Sequence, residues 1–376
     1  MRVGLGFFNH AGWSEANLKG IASFARPNRP WTFDLLAPTL EGIEQLIALK
    51  PDGLLLGTSD DEVLARVERS GIPAVNTGAP SPRQVHQVGN DEQLIGVLAA
   101  KHFITRGYKR FAYVARTGTH PDARLDAFSA HLGTVGAECS VYAGTRGSNP
   151  AVSLVEDDDS LAEWLKALAK PVAVFCMFDY QAWVVAEECL RAGIKVPADV
   201  AVLGVDNQLA QCLLCNPPLS SIQTAAERIG YEAAALLERV LASPKLGRQI
   251  LMVPPVRIVN RRSTDAVAAS DRLVGFAMTL MRDNLGKGLS IEDVCSKLKC
   301  SRRSLERRFH ACIGMTPAQT WARFRVEEAQ RLLADTDLTV EAIASHTGLG
   351  DGRQVAAAIR KATGLTPMKF RRNASL

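Results

Sequence analysis

From residue 1 to about residue 250 the chain alternates short, unbroken apolar runs with longer stretches whose apolar residues recur every three or four positions. VGLGFF (3–8), GLLLG (53–57), IPAVN (72–76), RFAYVA (110–115), AVFCM (173–177) and VAVLGV (200–205) have the continuous hydrophobicity of strands covered on both faces. LIGVLAAKHFITRG and QAWVVAEECLRAG are amphipathic, and Gly193 closes the second as a helix stop. Strand and helix in alternation predict an α/β doubly wound architecture of parallel sheets. A stretch of this length is large for one sheet, so a body of two similar lobes with a cleft is expected over 1–263. VPPVRIVNRRSTD (253–265) reads as a last strand with a polar exit, and TDAVAASD (264–271) as a linker. Beyond Arg272 the strand-like runs stop and a 3.6-residue period takes over, which predicts an all-α domain over 272–376.

Within that domain GMTP (314–317) returns as GLTP (364–367). SIEDVCSKLKCSRRSLERRF (290–309) lies over TVEAIASHTGLGDGRQVAAAI (339–359) with one extra residue in the second copy. Each copy opens a short helix with Ser290 or Thr339, places Glu292 or Glu341 in its first turn, breaks, and starts a second helix. The spacing predicts a helix-turn-helix twice, at about 290–312 and 339–362. Between them PAQTWARFRVEEAQRLLAD (317–335) predicts one connecting helix, with Trp321, Phe324, Ala329, Leu332 and Leu333 free to pack. In the first copy Ser301 can cap the second helix while Leu305 and Phe309 face its core. Arg302, Arg303, Glu306, Arg307 and His310 then share the outer face, where guanidinium forks suit guanine edges and phosphate and a carboxylate suits cytosine. The second copy offers Arg353 and Gln354, with Arg360, Lys361, Arg371 and Arg372 for phosphate grip. Charge agrees: residues 271–376 hold 18 Lys+Arg against 11 Asp+Glu, whereas residues 1–270 hold 26 against 28. A near-neutral body with a basic tail domain points the tail at double-stranded DNA.

With 47% hydrophobic and 22% charged residues the composition is that of an ordinary globular protein. No 18 apolar residues run together and the N-terminus lacks a cleavage-like site, so no membrane contact and a cytoplasmic location are expected. The eight cysteines read as thiols in a reducing compartment. Cys212 and Cys215 have C-x-x-C spacing, but no second pair follows at finger or ribbon spacing, so no metal is expected. GLGFFN (4–9) lacks the third glycine of a dinucleotide fingerprint, and G-x-S-x-G, Walker A and H-E-x-x-H motifs are absent. No catalytic residue and no cofactor are assigned, and a sugar-modifying enzyme is the remote alternative.

Ligands of open α/β sheets sit beyond the carboxyl ends of the strands. There the sequence places Ser59, Asp60 and Asp61 after GLLLG, Asp179 after AVFCM, and Asp206 and Asn207 after VAVLGV; Arg124 opens a predicted helix after RFAYVA. Carboxylates, an amide and a guanidinium suit a ligand rich in hydroxyls, and Trp13 and Phe178 can stack on a sugar's apolar face. Two other readings stay open: each aspartate caps the next helix, or the body only dimerises or binds a different small ligand.

The tail, from SIEDVCSKLKC through the closing KATGLTPMKFRR, resembles the AraC family of transcription regulators; GDGRQVAAAIRK departs from it, with Val355 and Ile359 where that family usually has aromatics. PDGLLLG, GIPAVNTGA, PADVAVLGVDN and PPLSSIQTAAERIGYEAAALLERVL resemble the LacI/GalR-type sensor, the fold of periplasmic sugar-binding proteins. That resemblance implies sugar contacts at Asp206, at Arg124 and at the pair Phe178–Asp179, where phenylalanine replaces the usual asparagine. The order, sensor first and duplicated motif last, is similar to that of the xylose-operon regulators, and VPPVRIVNRRSTD matches their junction. Together the resemblances imply a periplasmic-binding-protein-like body and a sugar-responsive activator acting as a homodimer on operator DNA. D-xylose or a related monosaccharide is the implied effector, and RNA polymerase a candidate partner.

Overall fold

The computed structural model describes residues 1–8, 12–26, 30–115, 122–142, 159–243, 245–265 and 271–374. The α/β body begins β1 (Arg2–Gly6), α1 (Gly12–Ala25), β2 (Thr32–Leu36), α2 (Leu40–Ala48), β3 (Gly53–Leu56), α3 (Asp61–Ser70), β4 (Ala74–Asn76) and β5 (His86–Asn90). It continues through α4 (Glu92–Ile104), β6 (Phe111–Val114), α5 (Ala123–Gly133), β7 (Cys139–Tyr142), α6 (Asp159–Ala167) and β8 (Val172–Cys176). Next come α7 (Asp179–Arg191), β9 (Val200–Val205), α8 (Leu209–Leu214), β10 (Ser220–Gln223) and α9 (Ala226–Ala242). The body ends with β11 (Ile250–Val253), β12 (Arg257–Val259) and a 3-10 turn, Arg262–Thr264.

These elements form two six-stranded sheets in separate units, with orders β11-β5-β4-β3-β1-β2 and β12-β10-β9-β8-β6-β7. One unit holds residues 1–91 and 224–255, the other residues 92–223 and 256–374. The six apolar runs all form strands, and β3, β8 and β9 are buried along their whole length, as parallel strands between helical layers must be. In the second sheet Tyr113 lies opposite Phe175, and Val174 opposite Val202. The single last strand expected at 253–265 is two strands. Pro254 and Pro255 lack the N–H that a continuing ladder needs, so β11 ends before them and pairs in the first sheet while β12 pairs antiparallel with β10 in the second.

The expected linker 264–271 is partly built into its flanks. Thr264 is buried in the 3-10 turn, and Asp271 caps the next helix by accepting from Leu273 N; residues 266–270 lie outside the described residues. The domain that follows is helical throughout: α10 (Arg272–Asp283), α11 (Ile291–Lys297), α12 (Arg302–Ile313), α13 (Pro317–Asp335), α14 (Val340–Thr347), α15 (Gly352–Thr363) and α16 (Pro367–Ala374). The repeated Gly-x-Thr-Pro is a stop-and-start signal. Gly314 and Gly364 end α12 and α15 in the left-handed conformation, φ 68° and 75°, which costs glycine nothing. Thr316 then forms a capping box with Gln319 and Pro317 takes the first helical turn.

Each motif has its own core, and α13 serves both. Trp321 and Phe324 join Val274, Met278, Met281, Val294, Leu305 and Phe309 around the first motif. Ala329, Leu332 and Leu333 join Ile343, Val355, Ile359 and Phe370 around the second. Val355 and Ile359 are fully buried, so aliphatic side chains fill the places where the sequence departs from the AraC pattern. Burying one such side chain contributes roughly 1.5–3 kcal/mol.

Candidate functional site

The outer face of α12 is held in place by its inner face. Leu305 and Phe309, both 0% exposed, fix the helix azimuth, which leaves Arg302, Arg303, Arg307 and His310 exposed and Glu306 partly so. Ser301 is the N-cap, its hydroxyl oxygen accepting from Ser304 N at 3.2 Å; its O–H still has a proton to give to phosphate. Arg302 is tied to Glu292 at 2.5 Å and to Glu306 at 3.0 Å, pairs exposed enough to be exchanged for a phosphate at little cost. Arg303 and Arg307 make no hydrogen bond or ion pair among the described residues, and they project from the helix that a helix-turn-helix lays in the major groove.

In the second motif Arg353, Gln354, Arg360 and Lys361 are exposed, and Asp351 caps α15 by accepting from Gln354 N. Arg371 is not part of the phosphate-facing set. Its guanidinium donates to the carbonyls of Leu333 and Leu338, so it fastens α16 to the end of α13 and the loop beyond. Arg372 stays exposed.

In the unit that also carries these helices, the strand-end residues come together around Arg124. This side chain is 4% exposed. It holds the Glu92 carboxylate through Nε and Nη2, donates from Nη1 to the Met177 carbonyl, and lies 5.4 Å from the Phe178 ring centroid. Burial works against its charge, but Glu92 and then Asp206 outweigh it, so the guanidinium remains a cation with its pKa raised. Among the described residues three of its five N–H groups have an acceptor, and the other two face none. Glu92 was not legible in the sequence because β5, HQVGN, does not look like a strand, and Glu92 follows its end.

Asp206 and Asn207 close β9 with positive φ, 99° and 53°, a conformation that non-glycine residues hold only where surroundings enforce it. The enforcement is visible. Asp206 N donates to Ile222 O at 2.9 Å, Asn207 N to Ser221 Oγ at 2.9 Å, and Arg261 Nη2 to Asn207 Oδ1 at 2.7 Å. Arg261 and Ser221 are further site residues that the sequence did not single out.

Asp179 does not present its carboxylate to solvent. It is 1% exposed, accepts from Gln208 N at 2.6 Å and from Cys212 Sγ at 3.5 Å, and its Oδ1 has no partner among the described residues. Burial, with Asp206 nearby, pushes its pKa up to about 7 against the hydrogen bonds that the carboxylate accepts. Its carboxylate makes these internal contacts because the α7 N-terminus is packed directly over β9. Cys212 and Cys215 are free buried thiols of the same lobe core, beside Cys176 and Cys189, and burial raises the pKa of all four.

In the other unit Asp60 takes the capping role, accepting at Oδ1 from Glu62 N and Val63 N. Asp61 is paired with Arg83 at 2.5 Å and 3.0 Å, so Asp60 follows the helix-capping reading and Asp61 an ion pair. Trp13 is half-buried on α1 against the core of that unit, near Gly57 at the end of β3.

Comparison with known proteins matches both halves. A family model described as a periplasmic binding protein-like domain matches residues 100–264, and one described as a helix-turn-helix domain matches residues 294–373. The chain is 26% identical to the xylose operon regulatory protein of Escherichia coli (strain K12), covering 98% of this chain and 96% of that protein. It is 27% identical to the protein of the same name from Haemophilus influenzae, covering 86% of each. Among solved structures, one described as "structure of xylose-binding transcription activator xylR" superposes with a TM-score of 0.61 at 24% identity, covering 99% of this chain and 97% of that one. A LacI family regulator from Enterococcus faecium with bound ribose gives a TM-score of 0.58 at 20% identity over 70% of this chain and 98% of that one. The fold is therefore a periplasmic-binding-protein-like α/β body followed by an all-helical helix-turn-helix domain. The full-length relatives are transcription regulators and not enzymes. No helix among the described residues is long and apolar enough to cross a membrane.

Proposed function

We propose that this chain, a DNA-binding transcription regulator in which the sensor precedes the duplicated motif, binds a monosaccharide of the D-xylose class and activates transcription from operator DNA as a homodimer. Such a regulator works in the cytoplasm, where its DNA is, and RNA polymerase is its partner at the promoter. The observation that carries the reading is that Arg124, on the helix after β6, lies against Phe178 after β8 and feels the charge of Asp206 after β9, three neighbouring strands of the lobe that leads into the DNA-binding helices. Asp206 and Asn207 supply acceptors and an amide to hydroxyls, Arg124 its two remaining donors, and Phe178 an apolar ring face. Arg303 and Arg307 read base edges and phosphate from α12, with Arg302 joining once it exchanges its carboxylates for the duplex. The second motif adds Arg353, Gln354, Arg360 and Lys361, mostly as phosphate grip.

The test pairs two variants. Asp206→Asn removes a charge and keeps a residue that tolerates positive φ. It should abolish D-xylose binding in isothermal titration and leave sugar-free DNA affinity unchanged. Arg307→Ala should weaken DNA binding and leave the sugar titration intact. Loss of both functions in either variant contradicts two separable modules.

A second reading rests on Glu92, whose carboxylate already occupies two donors of the Arg124 cation and balances its charge, and on Phe178 where the LacI/GalR-type pattern has an amide. On that reading the body only dimerises. A thermal-shift panel of sugars decides between them, since a ligand at 100 times its Kd should add about 2.7 kcal/mol to the domain that binds it.

A further inference from the structure

Where the second α/β lobe meets the helical domain, the contact is polar and crowded with positive charge. Arg106, just past the end of α4 and 2% exposed, donates from Nη2 to Glu327 of α13 at 3.4 Å and to Asn260 at 3.1 Å. From the other side Arg323 Nη1 donates to Thr105 O at 2.9 Å, and its Nε lies 3.6 Å from Glu327 Oε1. Arg282 of α10 stacks 4.1 Å from the Phe324 ring centroid and pairs with Asp265 at the edge. Burial and the facing Arg106 push Arg282 down to about 9 while Glu327 pulls the other way. Glu327 is thus the carboxylate that faces all three guanidiniums. Among the described residues Arg106 Nε and Arg323 Nε and Nη2 have no hydrogen-bond acceptor.

A continuous line of hydrogen bonds leads from this seam into the lobe. Arg106 Nη1 donates to His102 Nδ1 at 3.0 Å, which leaves the ring proton on Nε2 for Thr264 Oγ1 at 3.0 Å. His102 is neutral, held well below its usual pKa by burial and by Arg106. Thr264 donates to Ser220 Oγ at 2.8 Å, Ser220 exchanges hydrogen bonds with the Arg261 backbone at 2.8 and 2.9 Å, and Arg261 Nη2 ends on Asn207 at 2.7 Å. The line therefore starts at the strand-end site and stops at the rod that supports both helix-turn-helix motifs.

We infer that the relay Asn207–Arg261–Ser220–Thr264–His102–Arg106–Glu327 transmits the state of the strand-end site to the DNA-binding domain, with Glu327 as its positioning residue. The inference rests on the proposed sensing role of that site. A coupling route needs an element with two arrangements that both sites bias. Glu327 supplies one, because its carboxylate, held by Arg106 Nη2 at 3.4 Å, needs a movement of about 1 Å to accept instead from Arg323 Nε at 3.6 Å. A shift of Asn207 on ligand binding moves Arg261 and, through buried side chains that must keep their partners, exchanges one set of Glu327 contacts for the other.

Two variants of the full chain test this, and neither residue touches DNA or the strand-end site. Thr264→Val is isosteric and cuts the relay in its middle; Glu327→Gln removes the charge at its end. Affinity for a duplex selected from a random library by the parent protein is measured with and without D-xylose, beside direct D-xylose titration. Both variants should keep both separate affinities, while the sugar-induced change in DNA affinity, typically about 5- to 150-fold in such systems, collapses toward 1. An unchanged ratio in both variants overturns the relay. Hydrogen exchange without sugar supplies an independent arm: Thr264→Val should speed exchange in the 323–328 segment of α13, to which Thr264 itself makes no hydrogen bond among the described residues. If the parent fails to bind D-xylose, the sugar reading fails, yet unchanged exchange in that segment still overturns the relay and faster exchange still supports it.

Discussion

Replacing Asp179 by asparagine isolates the cost of burying one carboxylate. In the folded chain Asp179 releases its proton near pH 7, because burial and the Asp206 charge oppose ionisation; an unburied aspartate does so near 3.8. Between those values the folded state holds a proton that the unfolded chain has lost, so stability falls as pH rises, by about 1.4 kcal/mol per pH unit. Below pH 4 the effect vanishes and above pH 7 it is constant, with a total on the order of 4 kcal/mol. An amide cannot ionise. Its oxygen can still accept from Gln208 N and Cys212, and its NH2 takes the place of the unpartnered Oδ1. Urea denaturation of the parent and Asp179→Asn side by side, followed by far-UV circular dichroism from pH 4 to 8, gives the difference curve. It should be level near pH 4, rise in favour of the amide variant through pH 5 and 6, and level again above 7. A difference independent of pH would falsify the argument, because it would mean that Asp179 is ionised throughout.

Other outcomes are as specific. Arg307→Ala should cost about 1–3 kcal/mol in DNA affinity, or lower the dependence of log K on log salt by about one, according to whether it meets a base or a phosphate. Arg371→Ala should leave the salt dependence unchanged and lower thermal stability by about 1–3 kcal/mol, because it strands the carbonyls of Leu333 and Leu338. Gly204→Ala should impair folding of the second lobe, since a Cβ there would sit 2.2 Å from Asp179 Oδ1 and 3.0 Å from its Cα; recovery of normal expression and melting in that variant would refute the tight α7–β9 packing. Asp206→Asn should remove the D-xylose titration without altering sugar-free DNA binding.

The chain's local signals were enough to mark the helices of the duplicated motif, their capping residues and the most apolar strands. Ser290, Ser301, Thr316, Thr339 and the two Gly-x-Thr-Pro turns act on neighbours within four residues, so reading along the chain finds them. The same holds for β3, β8 and β9, whose burial on both faces is written as unbroken hydrophobicity. β2 and β7 are edge strands, and β5 and β10 carry histidine, glutamines, asparagine and serines; their ladder partners are distant segments, and nothing local marks them.

What each polar site residue does was decided only in three dimensions. Asp60 and Asp61 look alike in sequence, yet one caps α3 and the other pairs with Arg83, 22 positions away. Arg124 meets Glu92 across 32 positions, and Arg106 meets Glu327 across 221. A charged group's role depends on which partner removes it from water and on how much water remains, and both are set by packing between segments that the sequence keeps far apart.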